Sequence, residues 1–76
     1  MTESAPLSEP MAVSVNGETV AVAPGTTLEA LVASLTGASS GVAAALNETV
    51  VPRGQWPAAA LTAGDRVEVL TAVQGG

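Results

Sequence analysis

A small α+β roll, with one helix packed across a mixed sheet, is the fold class that the sequence predicts. Three observations predict it. Two stretches of alternating apolar residues flank Asn16-Gly17, a dipeptide that strongly favours a two-residue hairpin turn. Leu28, Leu31, Val32 and Leu35 then fall at i, i+3, i+4 and i+7, the stripe of a helix lying on a core. Finally, Arg66 to Val73 alternates along its whole length, as a strand with two distinct faces does. All of this fits within 76 residues, enough for one domain with a modest core.

Each element follows from its residues. Residues 1–10 carry Pro6, Pro10, two Ser and two Glu without periodicity, so a flexible tail is expected there. Met11, Val13 and Val15 alternate with Ala12, Ser14 and Asn16 as a half-buried strand does, and the return strand runs from Glu18 to Ala23 with Val20 and Val22 on its apolar face. Pro24-Gly25 ends the hairpin. Thr26-Thr27-Leu28-Glu29 fits a capping box, in which the Thr26 hydroxyl and the Glu29 carboxylate close each other's orphan amides. Thr36-Gly37 ends the helix, with Gly37 suited to a left-handed cap. A helix this short needs a sheet to lie on.

After the Ser39-Ser40-Gly41 loop, Val42 to Leu46 reads as a short buried strand, although its three Ala favour helix by propensity. Asn47-Glu48 is a turn, and Thr49-Val50-Val51 is a strand stopped by Pro52. Arg53 to Ala60 reads as irregular and contains Trp56. Ala63-Gly64-Asp65 turns into the last strand, which places Val67, Val69, Thr71 and Val73 on one face and Arg66, Glu68, Leu70 and Ala72 on the other. The order strand, strand, helix, strand, strand, strand is that of a β-grasp roll, with the final strand central. The expected organisation is a tail over 1–10, the domain over 11–74 and a short flexible Gly-Gly tail at 75–76.

Composition removes most function classes. Of 36 apolar residues 15 are Ala, one is aromatic and none is Ile, Phe or Tyr. The absence of Cys and His excludes a disulfide framework, a thiolate metal site and a cysteine nucleophile, and leaves the serines without an activating base. This argues strongly against an autonomous hydrolase. A net charge of -5, with Arg53 and Arg66 as the sole cations, argues against nucleic acid and anionic membrane and favours a basic protein partner. No basic and apolar leader opens the chain, and the uncharged stretch from Ala30 to Asn47 is interrupted by Thr36-Gly37-Ala38-Ser39-Ser40-Gly41, a loop composition unfit for lipid. The expectation is a cytoplasmic protein.

Chemistry concentrates at the end. A strand running into Gly75-Gly76 leaves a carboxylate on a stalk without side chains, able to enter a channel too narrow for a Cβ; the plain alternative is a frayed terminus. Leu70 is either an exposed docking contact or buried under the segment around Trp56. Trp56 is more simply an anchor of its loop than a binding residue. Arg53 is a candidate docking charge, and Gln74, between the strand and the glycines, is a third docking candidate. Asp65 beside Arg66 reads as turn chemistry and a surface charge pair. Asn16 and Gly17 read as structural.

Val13-Ser14-Val15-Asn16-Gly17-Glu18, Gly25-Thr26-Thr27-Leu28, Ala45-Leu46-Asn47, Val50-Val51-Pro52-Arg53 with Trp56, and Gly64 through Thr71-Ala72-Val73-Gln74-Gly75-Gly76 together resemble the ThiS family, ubiquitin-like sulfur carriers of thiamine biosynthesis. The resemblance spans Met11 to Gly76. It implies a carrier that performs no turnover and binds no cofactor or metal of its own. A ThiF-like adenylating enzyme would use ATP to convert Gly76 into an acyl adenylate, with Gly75 as spacer. A sulfur donor such as a cysteine desulfurase would supply the persulfide sulfur that displaces AMP, leaving a thiocarboxylate. A ThiG-like thiazole synthase would receive that sulfur. Two alternatives share the same kind of end: the small subunit of molybdopterin synthase, whose last strand typically runs through Pro before Gly-Gly, and a ubiquitin-like protein modifier.

Overall fold

The computed structural model describes residues 9–37 and 41–71. Strand β1 (Met11–Val15) pairs antiparallel with β2 (Glu18–Val22), helix α1 spans Leu28–Leu35, β3 (Val42–Leu46) pairs antiparallel with β4 (Thr49–Val50), a 3-10 helix spans Arg53–Ala58, and β5 covers Arg66–Thr71. The sheet order is β2-β1-β5-β3-β4, with β5 parallel to β1 and antiparallel to β3. This is the expected β-grasp roll with the last strand at its centre. The expectations for Gly75, Gly76 and Gln74, for the Ala72-Val73 end of the strand and for residues 1–8 lie outside the described residues.

The first hairpin turns as its residues require. Asn16 and Gly17 both take positive φ, 51° and 86°, the pair of left-handed residues that a type I′ turn needs. Pro24-Gly25 makes the next turn: the Thr26 N–H donates to the Ala23 carbonyl at 3.1 Å and Gly25 sits at φ 85°, as the third residue of a type II turn does. Strand β2 therefore ends at Val22, one residue earlier than expected.

Helix α1 starts one residue later than the capping-box reading. Thr27 is the N-cap, its Oγ1 accepting from the Ala30 N–H at 3.1 Å. Ala30 thus occupies the third helical position, where a reciprocal Glu would have to stand. The Thr26 hydroxyl instead donates to the Ala23 carbonyl at 2.6 Å, and Glu29 contributes as first-turn charge against the helix dipole. The choice of Thr27 follows from tertiary contacts: the Leu28 N–H donates to the Ala59 carbonyl and the Leu61 N–H to the Thr26 carbonyl, which hold the strand-like approach up to Thr27. At the other end Thr36, extended at φ -148°, closes the helix through its N–H to the Val32 carbonyl, and Gly37 takes no left-handed conformation.

Leu28, Leu31 and Val32 bury the helix stripe against Val13, Val15, Ala44, Val67 and Val69. Leu35, the fourth residue of the stripe, stays 46% exposed, because it lies at the last turn, where the helix runs beyond the sheet's buried face. The stretch after Pro52 is ordered rather than irregular. It forms the 3-10 helix, and Trp56 buries its ring in the core while its Nε1–H donates to the Val51 carbonyl at 2.8 Å. In a core with no other aromatic, this ring fills the space below α1 that short Val and Ala side chains leave.

Two substitutions separate the cap from the stripe. Thr27→Ala is expected to lose about 1 kcal/mol of stability and Leu28→Ala about 2–5 kcal/mol, both read from urea denaturation. Glu29→Gln is expected to lose only a few tenths of a kcal/mol; a loss equal to that of Thr27→Ala would restore the reciprocal box.

Candidate functional site

The candidate site is the described end of β5 and what surrounds it. Two asparagines, each opening a hairpin turn, hold this strand from opposite sides. On the β1 side the Asn16 N–H donates to the Val67 carbonyl at 2.8 Å. The chain then turns away, and the Asn16 side chain takes over: the Val69 N–H donates to Oδ1 at 2.9 Å, and Nδ2 donates to the Val69 carbonyl at 3.2 Å. In a parallel ladder the main-chain carbonyl of residue 16 would have accepted that N–H. The amide side chain continues β1 where its backbone has left.

On the β3 side the arrangement recurs at the start of β5. The Asn47 N–H donates to the Arg66 carbonyl at 2.7 Å, and the Arg66 N–H donates to Asn47 Oδ1 at 2.9 Å. Asn47 Nδ2 donates to Asp65 Oδ1 at 3.1 Å. Asn47 and Glu48 take φ 51° and 73°, a turn of the same kind as the first, here built without glycine. Asp65 also accepts from the Thr62 N–H at 2.8 Å and the Thr62 hydroxyl at 3.1 Å. The Thr62 backbone bond, with help from the Asn47 and Thr62 side chains and against a small burial effect, holds the Asp65 carboxyl below its ordinary range. Its partners are thus turn donors, and the Arg66 guanidinium pairs with Glu48 at 2.8 Å instead. The expected Asp65–Arg66 charge pair is corrected accordingly.

Leu70 is 70% exposed on the sheet face opposite the helix, while Trp56 packs in the core beside α1. Of the two readings of Leu70, burial under the Trp56 segment is the one overturned. Ala43 stands across from Leu70, Ala45 across from Glu68, and Val50 across from Ala45, so one face presents Leu70, Ala43, Ala45 and Val50 side by side. Val50 is 71% exposed. Glu68 and the Arg66–Glu48 pair edge this apolar patch. Val50 was not among the sequence candidates, because the expected strand Thr49-Val50-Val51, which in the structure ends at Val50, has too few residues to declare a face; its register against Ala45 does. Arg53 lies apart on the 3-10 helix, its guanidinium carbon 4.7 Å from the centre of the Trp56 ring. That stacking gives Arg53 a structural role whatever else it meets.

Among the described residues no group of three or more His, Cys, Asp or Glu could hold a metal ion. No helix among them is long and apolar enough to cross a membrane. The arrangement can present a surface and a following segment; it offers no acid–base or nucleophilic pair.

Asn16→Gly keeps a backbone that tolerates positive φ and removes only the clamp, so a loss of about 1–3 kcal/mol is expected from the orphaned Val69 amide, measured by urea denaturation. Protonation of Asp65 gives a second test. Its folded pKa is lowered, so its contribution is complete above the unfolded value and is lost as pH falls through the folded one. Asp65→Asn is expected to flatten the acid limb of the stability–pH curve, with parallel curves for variant and parent as the contrary result.

The comparisons agree with this geometry. A sequence model of the ThiS family matches residues 11–76. Among solved structures, the crystal structure of thiamine biosynthesis protein ThiS from Geobacter metallireducens superposes with a TM-score of 0.72 at 32% identity, covering 87% of this chain and 100% of that one. None of the curated proteins searched matches the chain.

Proposed function

We propose, from the premise that this chain belongs to the ThiS family, that it carries sulfur for thiazole formation in thiamine biosynthesis on the carboxylate of Gly76. The observation that supports this reading is the family match itself, which runs from residue 11 through Gly75 and Gly76 and so includes the segment on which the chemistry would occur. The family consists of carriers, and the chain acts as a co-substrate of other enzymes rather than as a catalyst.

A carboxylate is a poor electrophile. Its activation needs an adenylating enzyme and ATP: a Gly76 carboxylate oxygen attacks the α-phosphorus and pyrophosphate leaves. A persulfide sulfur from a donor such as a cysteine desulfurase then displaces AMP to give an acyl disulfide. A thiol of the partner enzyme attacks the donor-side sulfur, breaking the S–S bond and forming a disulfide with the donor, and the released thiocarboxylate is delivered to a thiazole synthase. The chain's part is to present the terminus and to leave the activated acyl group alone. It has no Cys and no Lys, so no thiol or ε-amine of its own competes for the adenylate. Gly75 places no side chain beside the reacting carbon. Leu70, with its apolar neighbours on the outer sheet face, is the docking contact, and Gln74 and Arg53 are further candidates. Residues 1–10, which the family match does not reach, are dispensable for this role.

Deleting Gly76 is expected to leave folding unchanged and to abolish sulfur loading, since a shift of about 1 Å in a reacting group already costs ~100-fold. Gly75→Val is expected to fold and load poorly. The measurement is the oxygen-to-sulfur mass shift after incubation with the adenylating enzyme, ATP and a sulfur source, localised by fragmentation. Loading without Gly76, or sulfur on any other residue, refutes the carrier reading.

A further inference from the structure

Beside the described end of β5, on the helix side of the sheet, the structure holds an open groove of about 310 Å³. Val15, Val20, Leu35 and Val69 form its apolar walls, Thr71 stands at one end, and Glu18 is its one charged lining residue. Leu35 is the helix residue that fails to reach the core, so the groove is where the helix stripe runs past the buried sheet face. Glu18 has no ion pair among the described residues: Arg66 holds Glu48 and Arg53 covers Trp56. The groove therefore joins an apolar bed to an uncompensated carboxylate, which suits a Lys or Arg side chain lying along its own aliphatic stem.

We propose that this groove is a docking cleft for a Lys- or Arg-bearing segment at the mouth of the enzyme that adenylates Gly76. This rests on the carrier reading and extends it to a second surface, on the opposite side of the sheet from Leu70. Position supports the assignment. Gly76 is the fifth residue past Thr71, and five residues reach at most about 18 Å, so the enzyme surface that receives Gly76 lies within that distance of Thr71 at the groove's end. Charge supports it too. An adenylating site must bring a carboxylate from a chain of net charge -5 up to a polyphosphate. Two anions meet there only where the mouth supplies cations.

The test is ATP–pyrophosphate exchange by the adenylating enzyme, measured against carrier concentration for the full chain and three variants. Glu18→Gln and Leu35→Gln are each expected to raise KM about fivefold with kcat unchanged, since an edge contact acts on encounter and not on the bound terminus. Glu29→Gln removes the same charge at the far end of α1 and is expected to leave KM unchanged. Added salt is expected to raise KM less for Glu18→Gln than for the parent chain. Circular dichroism of each variant confirms that the domain is folded, and Leu35→Gln probes the groove without any change of charge. Equal KM for Glu18→Gln and Glu29→Gln, or an unchanged KM for Leu35→Gln, overturns the groove while leaving the carrier reading intact. Failure of the parent chain to support exchange overturns both.

Discussion

Strand β5 outruns its partners at opposite ends, β1 stopping opposite Val67 and β3 one residue short of Arg66, and the rest of the structure depends on how those gaps are closed. Main-chain pairing with β1 covers only Ser14 and Val15 opposite Arg66 and Val67, since β1 then turns into the first hairpin. Without a substitute, the Val69 amide would face a departing chain at the point where β5 should be firmest. The Asn16 side chain supplies an acceptor and a donor at that position, and the Asn47 side chain steadies the Arg66 amide at the start of the strand. Both residues adopt φ 51°, a conformation that asparagine tolerates better than most non-glycine residues because its short polar side chain bonds locally. Turn formation and strand clamping are thus one requirement met by one residue type.

The clamp explains why a domain with so small a core can hold its last strand in place. Val67 is fully buried and Val69 nearly so, but Val side chains alone fix neither register nor direction. The turn after Thr62 adds its own fixing points: Gly64 N–H to the Ala12 carbonyl, Ser14 N–H to the Asp65 carbonyl, and the Asp65 carboxylate over the Thr62 amide. Glu48 is the strained residue of this scheme. It sits at φ 73° without the freedom of glycine, a cost of about 1–2 kcal/mol for an ordinary residue. The exposed Glu48–Arg66 pair offsets little of that; the Asn47 clamp, formed in the same turn, is the larger compensation.

Much of this was legible from residues, and the misses have a common cause. Asn16-Gly17, the Leu28-Leu31-Val32 stripe and the alternation of β5 carry their own periodicity, so order, hairpin and central strand could be read directly. The cap shifted from Thr26 to Thr27 because the choice between adjacent threonines is made by residues 59–61, which no local window contains. The 3-10 helix was hidden for a similar reason: Pro57 and Gly54 suggest irregular chain, and only the Trp56 bond to Val51 shows why a tight helix forms. Asn16 read as a turn residue, which it is; its second role depends on a strand 53 positions away. Leu35 obeys the helix stripe and is exposed nevertheless, because pattern gives the face of an element and not where its partner ends, while Val50 lies in a strand too short to show a pattern and takes its outward face from its register against Ala45.

Those two exceptions bear on function. A carrier is met by its partners at its surface, so the places where packing stops are the features it can offer them. The outer sheet face is kept shallow by Ala43 and Ala45, and Leu70 and Val50 stand out from it. The Ala content that weakens the core thus gives the face its relief, since larger side chains there would level it. On the helix side Leu35 overhangs, leaving a cleft whose single charge matches the sign of the whole chain. In the proposed docking, a basic partner would be drawn by the net charge over distances where shape is not yet felt, and oriented at contact by two unlike surfaces on opposite sides of β5. The strand that the asparagines hold is the element those surfaces share, and it is also the one that leads to Gly76. Fixing β5 therefore fixes, in one step, both surfaces and the point from which the terminus starts.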